Sequence, residues 1–146
     1  MNSSTTRYAQ LYLRLALGIG FIYPVLDRFG VLGPAGQNSV GWGSWQNFQD
    51  YTFMLLPFLG RSLSDVMAWI ATFAEAIFGV LLIIGFQTRL VALGSFALTA
   101  LFALSMAFSF HIKEPFNYSV FAASAGALLL SCVSHYSWSA DSYHKR

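Results

Sequence analysis

A single carboxylate, Glu75, stands in a long run of otherwise uncharged residues from Val66 to Phe86. A charge at the centre of a bilayer costs about 2.5–3.5 kcal/mol on insertion scales, so such a residue normally faces other helices, finds a partner or takes up a proton. Arg14 lies inside a second apolar segment. Two interpretations stay open: Glu75 and Arg14 form a buried ion pair that fixes helix register, or Glu75 carries a proton for a bound molecule with Arg14 as its partner.

A second set of polar and aromatic residues could hold the head group of an amphipathic ligand such as a quinone. These residues fall at predicted helix ends, or in the loop beside them, on one side of the membrane. The alternative is that charged residues simply collect where helices leave the bilayer, and that Asn117 or Ser119 caps the fourth helix. The set consists of Asp27, Arg28, Trp42, His111, Lys113, Asn117 and Tyr118.

Cysteine and histidine usage limits the other chemistries. Cys132 is the only cysteine, so the chain has no internal disulfide, no CxxC pair and no four-cysteine cluster site. We therefore expect no metal site, and any dithiol step would need a partner protein. The formal charge of +2 is not collected into a basic patch, which argues against nucleic acid as a partner.

The composition indicates that the solvent around these residues is lipid. Hydrophobic residues make up 56% of the 146 residues and charged residues only 10%, whereas an ordinary soluble domain is roughly 25% charged. A soluble domain of about 150 residues buries only about 68–70% of its surface, too little to hide this much apolar surface. The sequence predicts an integral membrane protein in a lipid bilayer.

Four apolar segments are long enough to form membrane-spanning helices, at about 20 residues each. On these bounds Arg14 lies about 9 Å inside the first helix and Glu75 about 15 Å from the end of the second, so long side chains could meet. Small residues in the fourth helix, Ala122 with Gly126 and Ala123 with Ala127, predict close helix packing, and Gly18, Gly79 and Gly94 could do the same in the other helices. The fold class is all-α, a four-helix bundle in a single domain over residues 1–146, with helices at about 8–29, 65–86, 89–110 and 117–134.

The long connection between the first two helices contains a further helix. Trp45, Phe48, Thr52 and Leu55 recur at helical spacing opposite polar residues, which predicts an interfacial amphipathic helix over about 42–56. One interpretation makes it an interfacial anchor without another role, and the other makes it a lid over a pocket between the helices. Lysine and arginine are more frequent on the side of the termini, which favours both termini in the cytoplasm.

Several motifs in order resemble the bacterial DoxX family. They are Arg14-Leu-Ala-Leu-Gly18, Asp27-Arg28-Phe29-Gly30, the Trp42-Gly43 and Phe48/Tyr51 loop, Glu75 with Gly79, Gly85-Phe-Gln-Thr-Arg89, and Lys113-Glu-Pro-Phe-Asn-Tyr118-Ser-Val-Phe121. The similarity covers about residues 8–131. Where a common family form has Asp before the tyrosine, this chain has Asn117.

The resemblance implies a four-helix, multi-pass protein of the bacterial inner membrane. The wider superfamily is similar to a subunit of archaeal thiosulfate:quinone oxidoreductase, which implies a quinone-binding or quinone-adjacent subunit of a membrane oxidoreductase complex. A soluble or membrane-bound redox protein would then be a partner, and a homodimer is also open. The alternative is a non-enzymatic scaffold or chaperone; a small-molecule carrier is less favoured, because only Pro24 interrupts a helix. Whether the chain is itself an enzyme stays open.

Overall fold

The computed structural model describes residues 3–144. Its helices are α1 (Ser3–Arg28), α2 (Trp45–Leu55), α3 (Arg61–Ile84), α4 (Thr88–Ser109), α5 (Lys113–Asn117), α6 (Val120–Ser131) and α7 (Ala140–His144), with a 3₁₀ turn at Pro57–Leu59. The described part of the chain contains no strand. The predicted all-α membrane bundle is therefore confirmed.

Three helices, α1, α3 and α4, are long and apolar enough to cross a membrane. The expected fourth spanning helix is shorter than predicted, because α6 has 12 residues and a length of about 18 Å. The chain turns at Ser119, whose φ of 54° is left-handed, and this turn separates α5 from α6. The predicted interfacial helix is present as α2, from Trp45 to Leu55.

The bundle is built from two close helix pairs, α1 with α3 and α4 with α6, and the turn at Gly85–Gln87 joins α3 to α4. Gly18 and Gly79 let the backbones of α1 and α3 approach: a Cβ on Gly79 would lie 2.8 Å from the Ile22 side chain and 3.0 Å from the Gly18 carbonyl oxygen. Such small-residue contacts favour helix association where lipid supplies no hydrophobic drive. This part of the packing prediction is confirmed.

The contact between α1 and α3 also sets how far each helix extends. From the Gly18–Gly79 contact, α1 continues for 10 residues to Arg28 and α3 runs back for 18 residues to Arg61. At 1.5 Å per residue, α3 extends about 12 Å beyond α1. We call this end of the bundle the loop end, and the opposite end, where both Ser3 and His144 lie, the terminal end.

Helix α2 fills the space that the shorter α1 leaves at the loop end. Its buried face consists of Phe48, Thr52 and Leu55. The Ser109 hydroxyl at the end of α4 donates to the Leu55 carbonyl oxygen at 2.6 Å. The Trp45 ring lies 4.0 Å from the Trp69 ring of α3, measured between centroids. The helix is thus packed into the bundle, with contacts to both α3 and α4.

The C-terminal segment folds back across the terminal end. The Tyr136 hydroxyl donates to the Leu130 carbonyl oxygen at 2.9 Å. The Asp141 carboxylate accepts hydrogen bonds from the backbone N–H groups of Gln87 (2.7 Å) and Thr88 (2.9 Å). These are amides at the start of α4 that no intrahelical carbonyl can satisfy. A side chain from the far end of the sequence therefore caps α4.

Candidate functional site

Glu75 lies near the middle of α3 and forms a buried ion pair with Arg28, the last residue of α1. Arg28 Nη1 lies 2.6 Å from Glu75 Oε2, and the two side chains are only 3% and 6% exposed. The same nitrogen donates a hydrogen bond to Thr72 Oγ1 at 2.8 Å. The charge in the middle of α3 is thus compensated by a cation from another helix, as the cost of burying it requires.

Aromatic rings from the α2 region cover the guanidinium of Arg28. Its central carbon lies 3.7 Å from the centroid of the Phe48 ring and 5.2 Å from that of the Trp42 ring. A cation over an aromatic face is worth about 2 kcal/mol when both are removed from water. The ion pair therefore ties α1 to α3 and, through these rings, α2 to both.

The expected pair between Glu75 and Arg14 is wrong. Arg14 is buried at the terminal end, where Nη2 donates to the Trp138 carbonyl oxygen at 2.6 Å and Nη1 to that of Ser137 at 3.5 Å. A Cβ on Gly85, just past the end of α3, would lie 2.6 Å from Arg14 Nη1.

The physical reason is helix register. The sequence-based comparison assumed that the first two helices end level with each other on this side, whereas α1 starts at Ser3 and projects past the end of α3. Gly18 faces Gly79 and Ile83, and Arg14 lies one turn nearer the terminal end. This position places Arg14 level with the end of α3, away from Glu75.

Asp27 positions the loop that leads to α2. Its Oδ2 accepts hydrogen bonds from the backbone N–H groups of Gly41 (2.9 Å) and Trp42 (3.0 Å), and its Oδ1 from that of Gly43 (3.2 Å). Hydrogen bonds to an ionised acceptor are stronger than neutral ones. The structure gives Asp27 a structural role, because its carboxylate accepts three hydrogen bonds from the chain itself; its role in ligand binding stays a prediction.

A separate open cleft of about 640 Å³ lies at the loop end, between α2, the end of α4 and α5. Burial raises the pKa of Tyr51, and the neighbouring Tyr118 and Glu114 raise it further. The Tyr51 hydroxyl therefore stays protonated at neutral pH and is a hydrogen-bond donor. The lining residues are Tyr51, Met54, Ser109, Phe110, His111, Glu114 and Tyr118.

The predicted ligand-binding set is thus divided between two places. His111 and Tyr118 line the open cleft, whereas Asp27, Arg28 and Trp42 belong to the buried cluster around Glu75. The remaining two, Lys113 and Asn117, are exposed on α5 and are not part of the cleft wall.

Sequence reasoning did not assign a role to Thr72, Phe48 or Tyr51. Thr72 lies three residues before Glu75, so helical spacing places both on one face and could have identified it. The contacts of Phe48 and Tyr51 depend on where α2 packs, for which the sequence carries no local signal. Among residues 3–144, no three His, Cys, Asp or Glu side chains converge as metal ligands.

The family model described as DoxX matches residues 9–112 of this chain. The matched part includes Arg28, Glu75 and the residues that position α2, and it ends before the motif that begins at Lys113. No curated protein and no solved structure matches the chain significantly.

Proposed function

The chain belongs to the DoxX family of helical membrane proteins, and from that premise we propose that it binds the head group of a quinone-type ligand in the loop-end cleft. The observation that carries the proposal is the convergence of Tyr51, His111, Glu114 and Tyr118 on one cleft of about 640 Å³. Ligand sites typically have about 300–1,000 Å³ and combine apolar walls with a few polar groups.

The chemistry of the cleft suits a quinone ring. Quinone carbonyl oxygens accept hydrogen bonds, and the cleft offers donors in Tyr51, His111 and Tyr118. Phe110 and Tyr118 add aromatic surface on which a flat ring can stack. The cleft opens at the end of apolar helices, so an isoprenoid tail could extend along the bundle surface into lipid.

In this proposal the chain is a subunit of a membrane oxidoreductase complex. Reduction of a quinone to a quinol takes two electrons and two protons. A redox partner protein, soluble or membrane-bound, supplies the electrons, while His111 and Glu114 are groups of the cleft wall that can pass protons. The expected location is the bacterial inner membrane with both termini in the cytoplasm.

Glu75 enters the proposal through its ion pair. The pair with Arg28 holds Trp42 and Phe48 in place, and the Trp42 ring lies 6.0 Å from that of Tyr51 in the cleft wall. Glu75 thus acts as a positioning residue. The earlier alternative, in which Glu75 carries a proton, predicts that Glu75→Gln abolishes quinone turnover in membranes while binding of the quinone is retained.

A scaffold role is the second candidate function. The observation that favours it is that Asp27, Arg28 and Glu75 all find partners inside the chain, so these charges need no ligand to explain them. A scaffold would specify packing with these residues and use α2 to contact a partner protein.

The experiment is a binding titration of the purified full-length chain with a short-chain ubiquinone, followed by tryptophan fluorescence. Tyr51→Phe should weaken binding about fivefold to tenfold, because one hydrogen bond of about 1–1.5 kcal/mol is lost. The matched control is Tyr12→Phe, which changes an exposed tyrosine of α1 and should leave binding unchanged.

Mass spectrometry of the organic extract provides an independent measurement. A quinone enriched over the bulk membrane lipids in the wild-type protein, and reduced in Tyr51→Phe, supports the cleft. Bulk lipids alone, together with equal binding by both tyrosine variants, would favour the scaffold role.

A further inference from the structure

A second cavity lies at the opposite, terminal end, where α4 begins and where the chain leaves α6. It has a volume of about 310 Å³ and takes no part in the proposed quinone site. We call it the terminal pocket. Its lining residues are Gln87, Thr88, Arg89, Leu90, Val133, Ser134, His135, Tyr136 and Asp141.

The polar groups of the terminal pocket are mostly hydrogen-bond donors. Arg89 is exposed and forms no salt bridge with any residue between 3 and 144. Ser134 and His135 are exposed beside it on the segment after α6. A guanidinium flanked by a hydroxyl and an imidazole is a typical combination for binding phosphate oxygens.

Thr88 provides a second, independent observation at the terminal pocket. The residue is 0% exposed, yet its hydroxyl has no hydrogen-bond partner within the described part of the chain. A buried polar group without a partner costs about 1–3 kcal/mol, so such groups are rare unless something completes them. Thr88 belongs to the wall of the terminal pocket, where a ligand oxygen would be that partner.

The one carboxylate in the wall, Asp141, is directed elsewhere. Its two oxygens accept hydrogen bonds from the backbone N–H groups of Gln87 and Thr88, so its charge faces the positive end of the α4 dipole. The amides of Gln87 and Thr88 are therefore occupied already. The donors that remain for a ligand include the side chains of Thr88, Arg89, Ser134 and His135.

We infer that the terminal pocket binds a phosphate group, presented either by an anionic phospholipid head group or by a soluble phosphate. Leu90 and Val133 form an apolar part of the wall beside these donors, and Leu90 is 65% exposed. A lipid matches this arrangement, since its phosphate contacts Arg89 while its glycerol and acyl carbons contact Leu90.

The test uses the full-length chain in micelles and native mass spectrometry. Dioleoyl phosphatidylglycerol and dioleoyl phosphatidylcholine are added at equal concentration, so that the acyl chains and the phosphate are the same and the head groups differ in carrying a neutral glycerol or a choline cation. The wild-type protein should prefer phosphatidylglycerol about tenfold, because the choline cation offsets the phosphate charge that Arg89 would contact. Arg89→Gln should remove this preference, and Arg61→Gln, an exposed arginine at the loop end, should retain it.

Thr88→Val separates ligand binding from folding. It keeps the shape of the side chain and removes a hydroxyl that has no partner among residues 3–144, so thermal stability should not fall. Binding of phosphatidylglycerol should nevertheless weaken about threefold to tenfold, because the ligand loses one hydrogen bond.

Inorganic phosphate distinguishes the two sources of the group. If an excess of phosphate does not displace phosphatidylglycerol, the ligand is the lipid. If phosphate binds the wild-type protein but not Arg89→Gln, and displaces the lipid, a soluble phosphate compound is the ligand. The inference is overturned if the wild type shows no preference for phosphatidylglycerol, or if the preference is unchanged in both Arg89→Gln and Thr88→Val.

Discussion

The buried pair of Arg28 and Glu75 gives the sharpest quantitative prediction. Glu75→Leu removes the carboxylate that lies 2.6 Å from Arg28 Nη1, where the two side chains are 3% and 6% exposed. Removing one partner of a buried pair costs about 3–5 kcal/mol, because the other charge is left uncompensated. The guanidinium keeps its hydrogen bond to Thr72 and its contact with Phe48. We therefore expect a loss near the lower limit, about 3 kcal/mol.

The double variant Arg28→Met/Glu75→Leu should be far less damaged than either single variant. Replacing both charges by apolar residues of similar volume removes both desolvation penalties together, and such replacements are often neutral or stabilising. Arg28→Met alone leaves Glu75 as the bare charge. The sum of the free-energy losses of the two single variants should thus exceed the loss of the double variant by at least about 2 kcal/mol.

The assay is reversible unfolding of the full-length chain in mixed micelles with increasing sodium dodecyl sulfate, followed by tryptophan fluorescence, for the four proteins of the cycle. Arg61→Gln is the matched control, since its ion pairs with Asp50 and Asp65 are solvent-exposed and exposed pairs contribute little. It should not change the midpoint measurably. The reasoning is refuted if the free energy of unfolding of Glu75→Leu lies within about 1 kcal/mol of the wild-type value. It is also refuted if the losses of the two single variants simply add up to that of the double variant.

Three further predictions address the helix packing, the cap of α4 and the cleft. Gly79→Ala should lower the free energy of unfolding by about 1–3 kcal/mol, because the new Cβ would lie 2.8 Å from the Ile22 side chain. Gly20→Ala is the control in the same assay, since its Cβ would meet nothing within 4 Å. It should be neutral or stabilise the protein by up to about 1 kcal/mol. Asp141→Ala should cost about 1 kcal/mol as a lost helix cap and should speed limited proteolysis of the C-terminal segment. Burial raises the pKa of Tyr51, so the folded state keeps this proton to a higher pH than the unfolded state does. Stability should therefore fall as the pH rises above about 10 and through the folded pKa. Tyr51→Phe should make this alkaline decline shallower, as measured by unfolding followed by circular dichroism.

The long helices were predictable from the sequence because lipid imposes one rule on them. A segment that crosses the bilayer must satisfy its backbone hydrogen bonds internally, so apolar length alone identifies it. This rule located α3 and α4 within a few residues. It did not predict the turn at Ser119, because φ at that position depends on how α5 packs against α4 and α6.

The partner of Glu75 was not predictable for a different reason. Both Arg14 and Arg28 lie on α1, and the choice between them depends on the axial offset of α1 and α3. The contact between Gly18 and Gly79 fixes that offset. A pattern of small residues can indicate that two helices approach closely, but it does not state which glycine faces which. An error of about one turn in that offset therefore exchanged one arginine for the other.

The contact between the Arg28–Glu75 pair and Trp42 links Glu75 to the cleft without any proton transfer. The pair with Arg28 holds Trp42, and the Trp42 ring lies 6.0 Å from that of Tyr51 in the cleft wall. A single replacement of Glu75 can thus reduce ligand binding without any proton being involved, simply because α2 moves. The double variant Arg28→Met/Glu75→Leu separates the two effects, since it lacks the carboxylate but should restore the packing. If it binds and turns over quinone in membranes, Glu75 acts by positioning; if it binds quinone but does not turn it over, the carboxylate is needed for the proton.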